Sequence, residues 1–148
     1  MSKKKDFMKV KLSRNNDAFQ FKATGASGIS ALLDAASETG GHDQGLRPME
    51  MVLMGLGGCS AFDIVHILKK QRQDLVDLDI EIEGTRRSEI PKIFTEIHMR
   101  FVLRGDIDPV KAEKAVRLSV EKYCSVHDML KFVVNITWSM HIESVEIS

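Results

Sequence analysis

The chain has 148 residues, 43% of them hydrophobic and 28% charged, which is typical of a folded protein and excludes the disordered and fibrous classes. We therefore expect one domain spanning residues 1–148. Its 21 basic and 21 acidic residues give a formal net charge of zero, and the run at residues 3–5 is interpreted as a solvated terminus, so we expect no nucleic-acid partner.

The first third of the chain predicts an antiparallel β-meander. Apolar residues alternate with polar ones over residues 6–14 and 18–23, and a third short strand is predicted at residues 29–34. Turn-forming residues separate these segments. Residues 35–47 are rich in glycine and small polar residues, which predicts a mobile loop.

A long helix is predicted from Pro48 to about Arg72. Its first half, residues 49–58, is apolar nearly all round apart from Glu50, which predicts burial on most sides. The remaining elements are predicted as strands at 75–84 and 93–103, a helix at 109–123 capped by Asp106 or Asp108, a short helix at 125–131 and a strand at 132–142. The order βββ-α-ββ-α-α-β indicates the α+β class rather than a doubly wound parallel sheet.

The two cysteines, Cys59 and Cys124, are interpreted together with the expected compartment. The N-terminal segment is charged and lacks the apolar segment of a signal peptide. No run of residues approaches the roughly 20 apolar positions of a spanning helix, so we expect a cytoplasmic protein with no membrane partner. In a reducing compartment a permanent disulfide is not expected, so any role of the cysteines is reactive or transient.

The surroundings of each cysteine leave two interpretations open. Cys59 follows three glycines, and such a cluster inside a helix favours a place where another backbone or a ligand comes very close. Cys124 lies at the end of the second helix. Each could be a small buried core residue, or the fold could bring the two thiols together from positions 65 residues apart, since no local CxxC motif exists.

Metal binding is the other use for cysteine and histidine side chains. Cys124 and His127 have CxxH spacing, and Cys59 and His66 lie on one helix face. Seven residues span about 10 Å along a helix, so Cys59 and His66 are poorly placed to hold one ion. We therefore expect no metal site.

Two carboxylates of the long helix bear on the reactivity of Cys59. Glu50 either complements the helix dipole or anchors an arginine near a thiolate, although nine residues place it on the opposite helix face from Cys59. Asp63 follows Cys59 by one turn and would disfavour a thiolate unless its charge is neutralised.

Residues 48–61, with the sequence PMEMVLMGLGGCSA, resemble the signature helix of the OsmC/Ohr family. A proline and a glutamate open an apolar helix that reaches a cysteine after small residues, and a second cysteine follows at a helix end. The element order also matches over most of the chain. The resemblance is closest to the YhfA-like branch, through this helix, Arg86-Arg87 and residues 121–126.

The resemblance implies an OsmC-like fold in an intertwined homodimer with two sites at the interface. It also implies a thiol peroxidase that reduces organic hydroperoxides, or hydrogen peroxide less efficiently, with no cofactor. In that reaction Cys59 would be the peroxidatic thiol and Cys124 the resolving thiol, and a dithiol reductant would restore the pair.

The family pairs the signature glutamate, here Glu50, with an arginine from the N-terminal meander. This meander offers only Arg14, and Arg47, Arg86 and Arg87 are the other candidates. A function from another class remains open, namely a non-catalytic redox sensor or a dimer that binds a small apolar ligand. Turnover of peroxide separates the two.

Overall fold

The computed structural model describes residues 6–145, so the lysine run at residues 3–5 lies outside the described residues. The fold divides into two compact units, the first ending at Val52 and the second beginning at Leu53. The predicted element order and the α+β class are confirmed. The assignment of the whole chain to one domain stays a prediction.

The first unit contains the predicted meander. Strands β1 (Lys11–Arg14), β2 (Phe21–Thr24) and β3 (Ser30–Leu33) form an antiparallel sheet in the order β1-β2-β3. Strand β1 begins later than predicted because Lys11 pairs with Thr24, the last residue of β2. The chain turns immediately afterwards, so residues 6–10 have no neighbouring strand to pair with.

The loop after β3 is organised around the buried carboxylate of Asp34. This carboxylate accepts hydrogen bonds from the backbone N–H groups of Ala35 at 2.8 Å, His42 at 3.2 Å and Gln44 at 3.1 Å. Burial works to raise the pKa of Asp34, but the three N–H donors outweigh it and lower the pKa below its usual value. The predicted loop is therefore held in a defined conformation, with one short 3₁₀ turn at Ser37–Thr39.

Helix α1 (Pro48–Lys70) has 23 residues and is as long as predicted. Its buried residues, all in the second unit, lie on one stripe at helical spacing: Leu56, Gly57, Ser60, Ile64 and Leu68. Within this chain the helix is therefore covered along one face, whereas its apolar sequence predicted burial on most sides. Its length and a mean hydropathy of 1.7 would also suit a membrane-crossing helix, but the core helix of a soluble protein meets the same criteria.

The second unit is built on a sheet of strands β4 (Asp74–Arg86), β5 (Phe94–Asp106) and β6 (Asn135–Glu143), in that order. Strand β5 pairs antiparallel with β4 and parallel with β6. Alternate residues of β5 are fully buried, as the two-residue period predicts: Ile97, Met99, Phe101 and Leu103. These side chains form the centre of the core of this unit.

Between β5 and β6 lie helices α2 (Pro109–Leu118) and α3 (Ser125–Leu130). Asp108 caps α2 by accepting from the N–H groups of Val110 and Lys111, which selects it over Asp106. The last predicted turn of α2 is a π-helical turn at Ser119–Tyr123, because the N–H of Cys124 donates to the carbonyl of Ser119, five residues earlier, at 2.8 Å. This wider turn sets the position of Cys124.

Candidate functional site

Both cysteines are free thiols, and they differ in exposure. Cys59 lies in the middle of α1 and is partly exposed. Cys124 directly follows the π-helical turn and is only 2% exposed. The two sulfur atoms are not at disulfide distance. Cys59 is thus partly open to solvent in the single chain, and Cys124 is shielded.

The Cys124 sulfur is held by contacts with two elements. The thiol donates to the carbonyl oxygen of Leu56 on α1, with a distance of 3.8 Å from Sγ to the oxygen. The same sulfur accepts from the backbone N–H of His127 at 3.4 Å, because Cys124 occupies the N-cap position of α3. Cys124 therefore links the start of α3 to the helix that carries Cys59.

The electrostatic surroundings of Cys124 favour its neutral form. Burial raises the pKa of the thiol, while the Ser60 hydroxyl and the His127 N–H lower it; the Cys59 side chain raises it again. The net effect is a pKa above the usual value, so Cys124 is protonated at neutral pH. Cys59 therefore contributes to keeping the Cys124 thiol protonated.

Two polar atoms of α1 near this region have no hydrogen-bond partner among the described residues, namely Ser60 Oγ and Asp63 Oδ2. The sequence singled out Asp63 as a carboxylate one turn from Cys59. The sequence did not single out Ser60, because a serine beside a cysteine is common. Its position becomes informative only in the fold, where it lies on the buried stripe of α1 that faces Cys124. Ser60 lowers the pKa of Cys124, and its hydroxyl has no fixed hydrogen-bond partner among the described residues.

The glycine cluster before Cys59 predicted a crowded contact, and the second unit contains one such contact. A Cβ atom on Gly57 would lie 2.6 Å from the end of the Ile82 side chain on β4. Gly55 and Gly58 meet nothing within 4 Å. Close packing inside this chain therefore explains the glycine at position 57, whereas no contact among the described residues explains Gly55 and Gly58.

Glu50 and Arg47 lie together in the first unit, where α1 begins. Glu50 Oε1 accepts from the backbone N–H of Arg47 at 2.8 Å, which is the reciprocal half of a capping box. The Arg47 guanidinium donates to the carbonyl oxygens of Asp34 at 3.1 Å and Gly45 at 3.2 Å, and it pairs with the Asp43 carboxylate. Glu50 thus caps the helix, and Arg47 holds the loop before it.

The other three candidate arginines each bind their own turn. Arg14 donates from Nε to the carbonyl of Ala18 at 2.8 Å. Arg86 and Arg87 donate from Nε to the carbonyls of Lys92 and Pro91, both at 2.7 Å. Within residues 53–145 no arginine side chain forms a hydrogen bond with a cysteine.

The described part of the chain contains no group of three or more histidine, cysteine, aspartate or glutamate side chains able to hold one metal ion. It therefore offers no ligand set for a metal site. The His127 backbone N–H binds Cys124, as described above. Burial and the neighbouring Lys131 lower the pKa of the His127 imidazole. The ring is therefore neutral at neutral pH and adds no positive charge beside the thiol.

Three features together define the class of protein. They are the meander, the long helix that carries a partly exposed cysteine, and the buried cysteine that contacts this helix in the second unit. Residues 41–139 match the family described as OsmC-like protein. The chain belongs to the OsmC-like protein family.

Individual relatives agree with this assignment. The chain is 45% identical to protein YhfA of Escherichia coli K12 over 127 residues, which cover 85% of this chain and 92% of YhfA. It is similar to the crystal structure of a hypothetical protein from Aquifex aeolicus, with 36% identity and a TM-score of 0.84, covering 96% of this chain and all of that one. The organic hydroperoxide resistance protein OhrB of Bacillus subtilis shares the fold at 18% identity, with a TM-score of 0.66 and coverage of 92% and 98%.

Proposed function

We propose that this protein is a cytoplasmic two-cysteine thiol peroxidase that reduces organic hydroperoxides, and hydrogen peroxide less efficiently. The observation that supports it most is the pairing of a partly exposed cysteine, Cys59, with a buried protonated thiol, Cys124, whose pKa Cys59 raises. Family membership supports the same reaction, since OsmC-like structures include proteins named for organic hydroperoxide resistance.

The exposure of the two cysteines supports the proposed order of reaction, in which Cys59 reacts first. Cys59, as a thiolate, attacks the terminal oxygen of the hydroperoxide; the O–O bond breaks, the alcohol leaves with one proton, and Cys59 becomes a sulfenic acid. The Cys124 thiol then attacks the Cys59 sulfur, and one water molecule leaves as the disulfide forms. Because the sulfurs start beyond disulfide distance, this step needs a movement of the segment around one of them.

A dithiol reductant completes the cycle. Its first thiolate attacks the disulfide at Cys59, the accessible sulfur, and Cys124 leaves as the thiolate. The second thiol of the reductant then displaces Cys59 and forms the oxidised reductant. This sequence needs no cofactor and regenerates both thiols.

Glu50 and an arginine are proposed to organise the peroxidatic site, as the family resemblance implies. In this chain Glu50 accepts the Arg47 backbone N–H, and Arg14, Arg47, Arg86 and Arg87 each bind backbone carbonyls of a local turn. Recruiting one of these guanidinium groups to the thiolate would require it to exchange those partners. Of the four, Arg47 is the one that is hydrogen-bonded to Glu50, through its backbone N–H.

A homodimer is proposed because α1 exposes an apolar face in the single chain. Phe62 is 80% exposed, and Met54, Gly58 and Val65 lie on the same face at helical spacing. The open glycine at position 58 would let a second helix approach closely. Exposed apolar surface of this kind marks protein–protein interfaces.

Phe62→Glu is expected to convert the dimer to monomers, because it would bury an unpaired carboxylate in that interface. Light scattering after size-exclusion chromatography measures the mass directly. The matched control is Val110→Glu on α2, where an apolar side chain is 75% exposed outside this face. The dimer proposal is wrong if the wild type is monomeric, or if both variants keep the wild-type mass.

Steady-state assays test the peroxidase. With a dithiol reductant in excess, we expect repeated consumption of cumene hydroperoxide, with a higher kcat/KM than for hydrogen peroxide. A monothiol of similar acidity serves as the control reductant. Consumption of one equivalent per chain without further turnover would contradict the enzyme and leave the redox sensor.

The rival function, binding of a small apolar ligand, has one supporting observation. The first unit contains a cavity of about 370 Å³ whose lining is mostly apolar and includes Leu12, Ile29 and Met51. Such a cavity could accept a ligand without any use of the cysteines. The turnover assay decides between the two functions, because a binding protein leaves peroxide unconsumed.

A further inference from the structure

Ser60 directly follows Cys59 in the sequence, and it lies on the face of α1 that is turned toward Cys124. It is fully buried, on the stripe of α1 that also carries Leu56, and the Cys124 thiol contacts the Leu56 carbonyl at 3.8 Å. One helical turn separates Leu56 from Ser60, so both lie on the same side of the helix. The serine hydroxyl is therefore directed toward the region that holds the Cys124 sulfur.

The Ser60 hydroxyl also lacks any hydrogen-bond partner among the described residues. A buried hydroxyl without a partner is destabilising relative to a paired one, so its presence in the core calls for an explanation other than packing. Serine in a helix can donate to the carbonyl four residues earlier, but Ser60 forms no such bond with the Leu56 carbonyl, which the Cys124 thiol contacts. The Ser60 hydroxyl is thus an unpaired donor beside the Cys124 thiol.

We propose that the Ser60 hydroxyl, together with the backbone N–H of His127, stabilises the negative charge that develops on the Cys124 sulfur during the reaction cycle. The charge arises twice. It arises when Cys124 loses its proton to attack the Cys59 sulfenic acid, and the hydroxide expelled from that sulfur combines with a proton to leave as water. It arises again when the reductant's thiolate attacks Cys59 and Cys124 departs as a thiolate.

Ser60 meets a specific need of this site. Burial raises the pKa of Cys124, so the resting thiol is protonated and unreactive. It must nevertheless ionise at neutral pH to resolve the sulfenic acid. The His127 N–H is a fixed donor at 3.4 Å, whereas the Ser60 hydroxyl is a rotatable donor that can turn toward the sulfur when charge develops there. Both groups lower the pKa of Cys124 against the effect of burial.

The direct test is a titration of Cys124 by thiolate ultraviolet absorbance in a Cys59→Ser background, where it is the sole cysteine. Adding Ser60→Ala is expected to raise the titration midpoint by roughly one pH unit, as for a hydrogen bond to a charged group. Ser119→Ala is the matched control: Ser119 is equally buried, but its hydroxyl donates to the Val116 carbonyl at 2.9 Å. An unchanged midpoint, or an equal rise in both variants, would overturn the role of Ser60.

A kinetic readout follows in the protein with both cysteines and rests on the proposed peroxidase function. After one equivalent of cumene hydroperoxide, Ser60→Ala is expected to oxidise Cys59 at the wild-type rate and to form the disulfide about tenfold more slowly. Trapping the sulfenic acid with dimedone and weighing the products by mass spectrometry separates the two steps. If Cys59 is not oxidised in any variant, the peroxidase proposal fails, while the titration still decides the role of Ser60.

Discussion

Cys59→Ser is expected to abolish hydroperoxide reduction, lowering kcat/KM by a factor on the order of a thousand or more. A serine hydroxyl is not ionised at neutral pH and is a far weaker nucleophile toward a peroxide oxygen than a thiolate. Cys124, the remaining thiol, is buried and protonated, so it does not replace Cys59. Loss of cumene hydroperoxide in the presence of dithiol measures the effect.

Cys124→Ser is the matched variant, since it removes the other cysteine and leaves the accessible one. We expect one rapid oxidation of Cys59 at the wild-type rate, followed by accumulation of a sulfenic acid that dimedone labels. Turnover with the dithiol should fall, because the reductant must then attack the sulfenic acid itself. Retention of wild-type turnover by Cys59→Ser would contradict the assigned order of the two thiols.

Gly105→Ala is expected to produce the largest loss of stability among single substitutions at the glycines of the second unit. Gly105 has a φ of +142° in β5, opposite Leu75, where the register of β4 shifts. A Cβ atom there would lie 2.0 Å from the carbonyl oxygen of Asp74, which is backbone and cannot rotate away. Strain and steric overlap together predict a destabilisation of roughly 3–5 kcal/mol.

Thermal unfolding by circular dichroism measures this loss, and Gly28→Ala is its control. Gly28 also has a positive φ, +85°, but a Cβ atom there meets nothing within 4 Å. That substitution carries only the conformational cost, about 1–2 kcal/mol. Equal losses at the two positions would show that crowding by Asp74 has no effect and that the described backbone geometry at Gly105 is wrong.

Much of the fold follows from sequence because the patterns that predict it are local. The alternation in β5 predicted which side chains are buried, and Pro48 with Glu50 predicted the beginning of α1. The extents of the meander strands were less predictable, since β1 begins where its partner β2 ends rather than at a feature of its own sequence. The π-helical turn before Cys124 likewise depends on tertiary packing that no spacing rule reveals.

The candidate site, too, was only partly predictable from the sequence. The two cysteines stood out because they are the only ones in the sequence, and only the fold reveals that Cys124 contacts α1, the helix that carries Cys59. Ser60 gave no signal in the sequence, because its importance comes from being buried opposite a thiol without a hydrogen-bond partner. For the candidate arginines, only the positions could be predicted; in the structure Arg14, Arg86 and Arg87 bind carbonyls of their own turns, and Arg47 binds the loop before α1.

Counting free thiols before and after one equivalent of cumene hydroperoxide tests the central claim most directly. The account predicts rapid loss of both thiols of each chain, with one disulfide formed between Cys59 and Cys124 and recovery of both thiols on addition of dithiol. Thiol loss no faster than that of free cysteine under the same conditions would contradict it. The protein would then be a member of the OsmC-like family that binds a ligand without reducing peroxide.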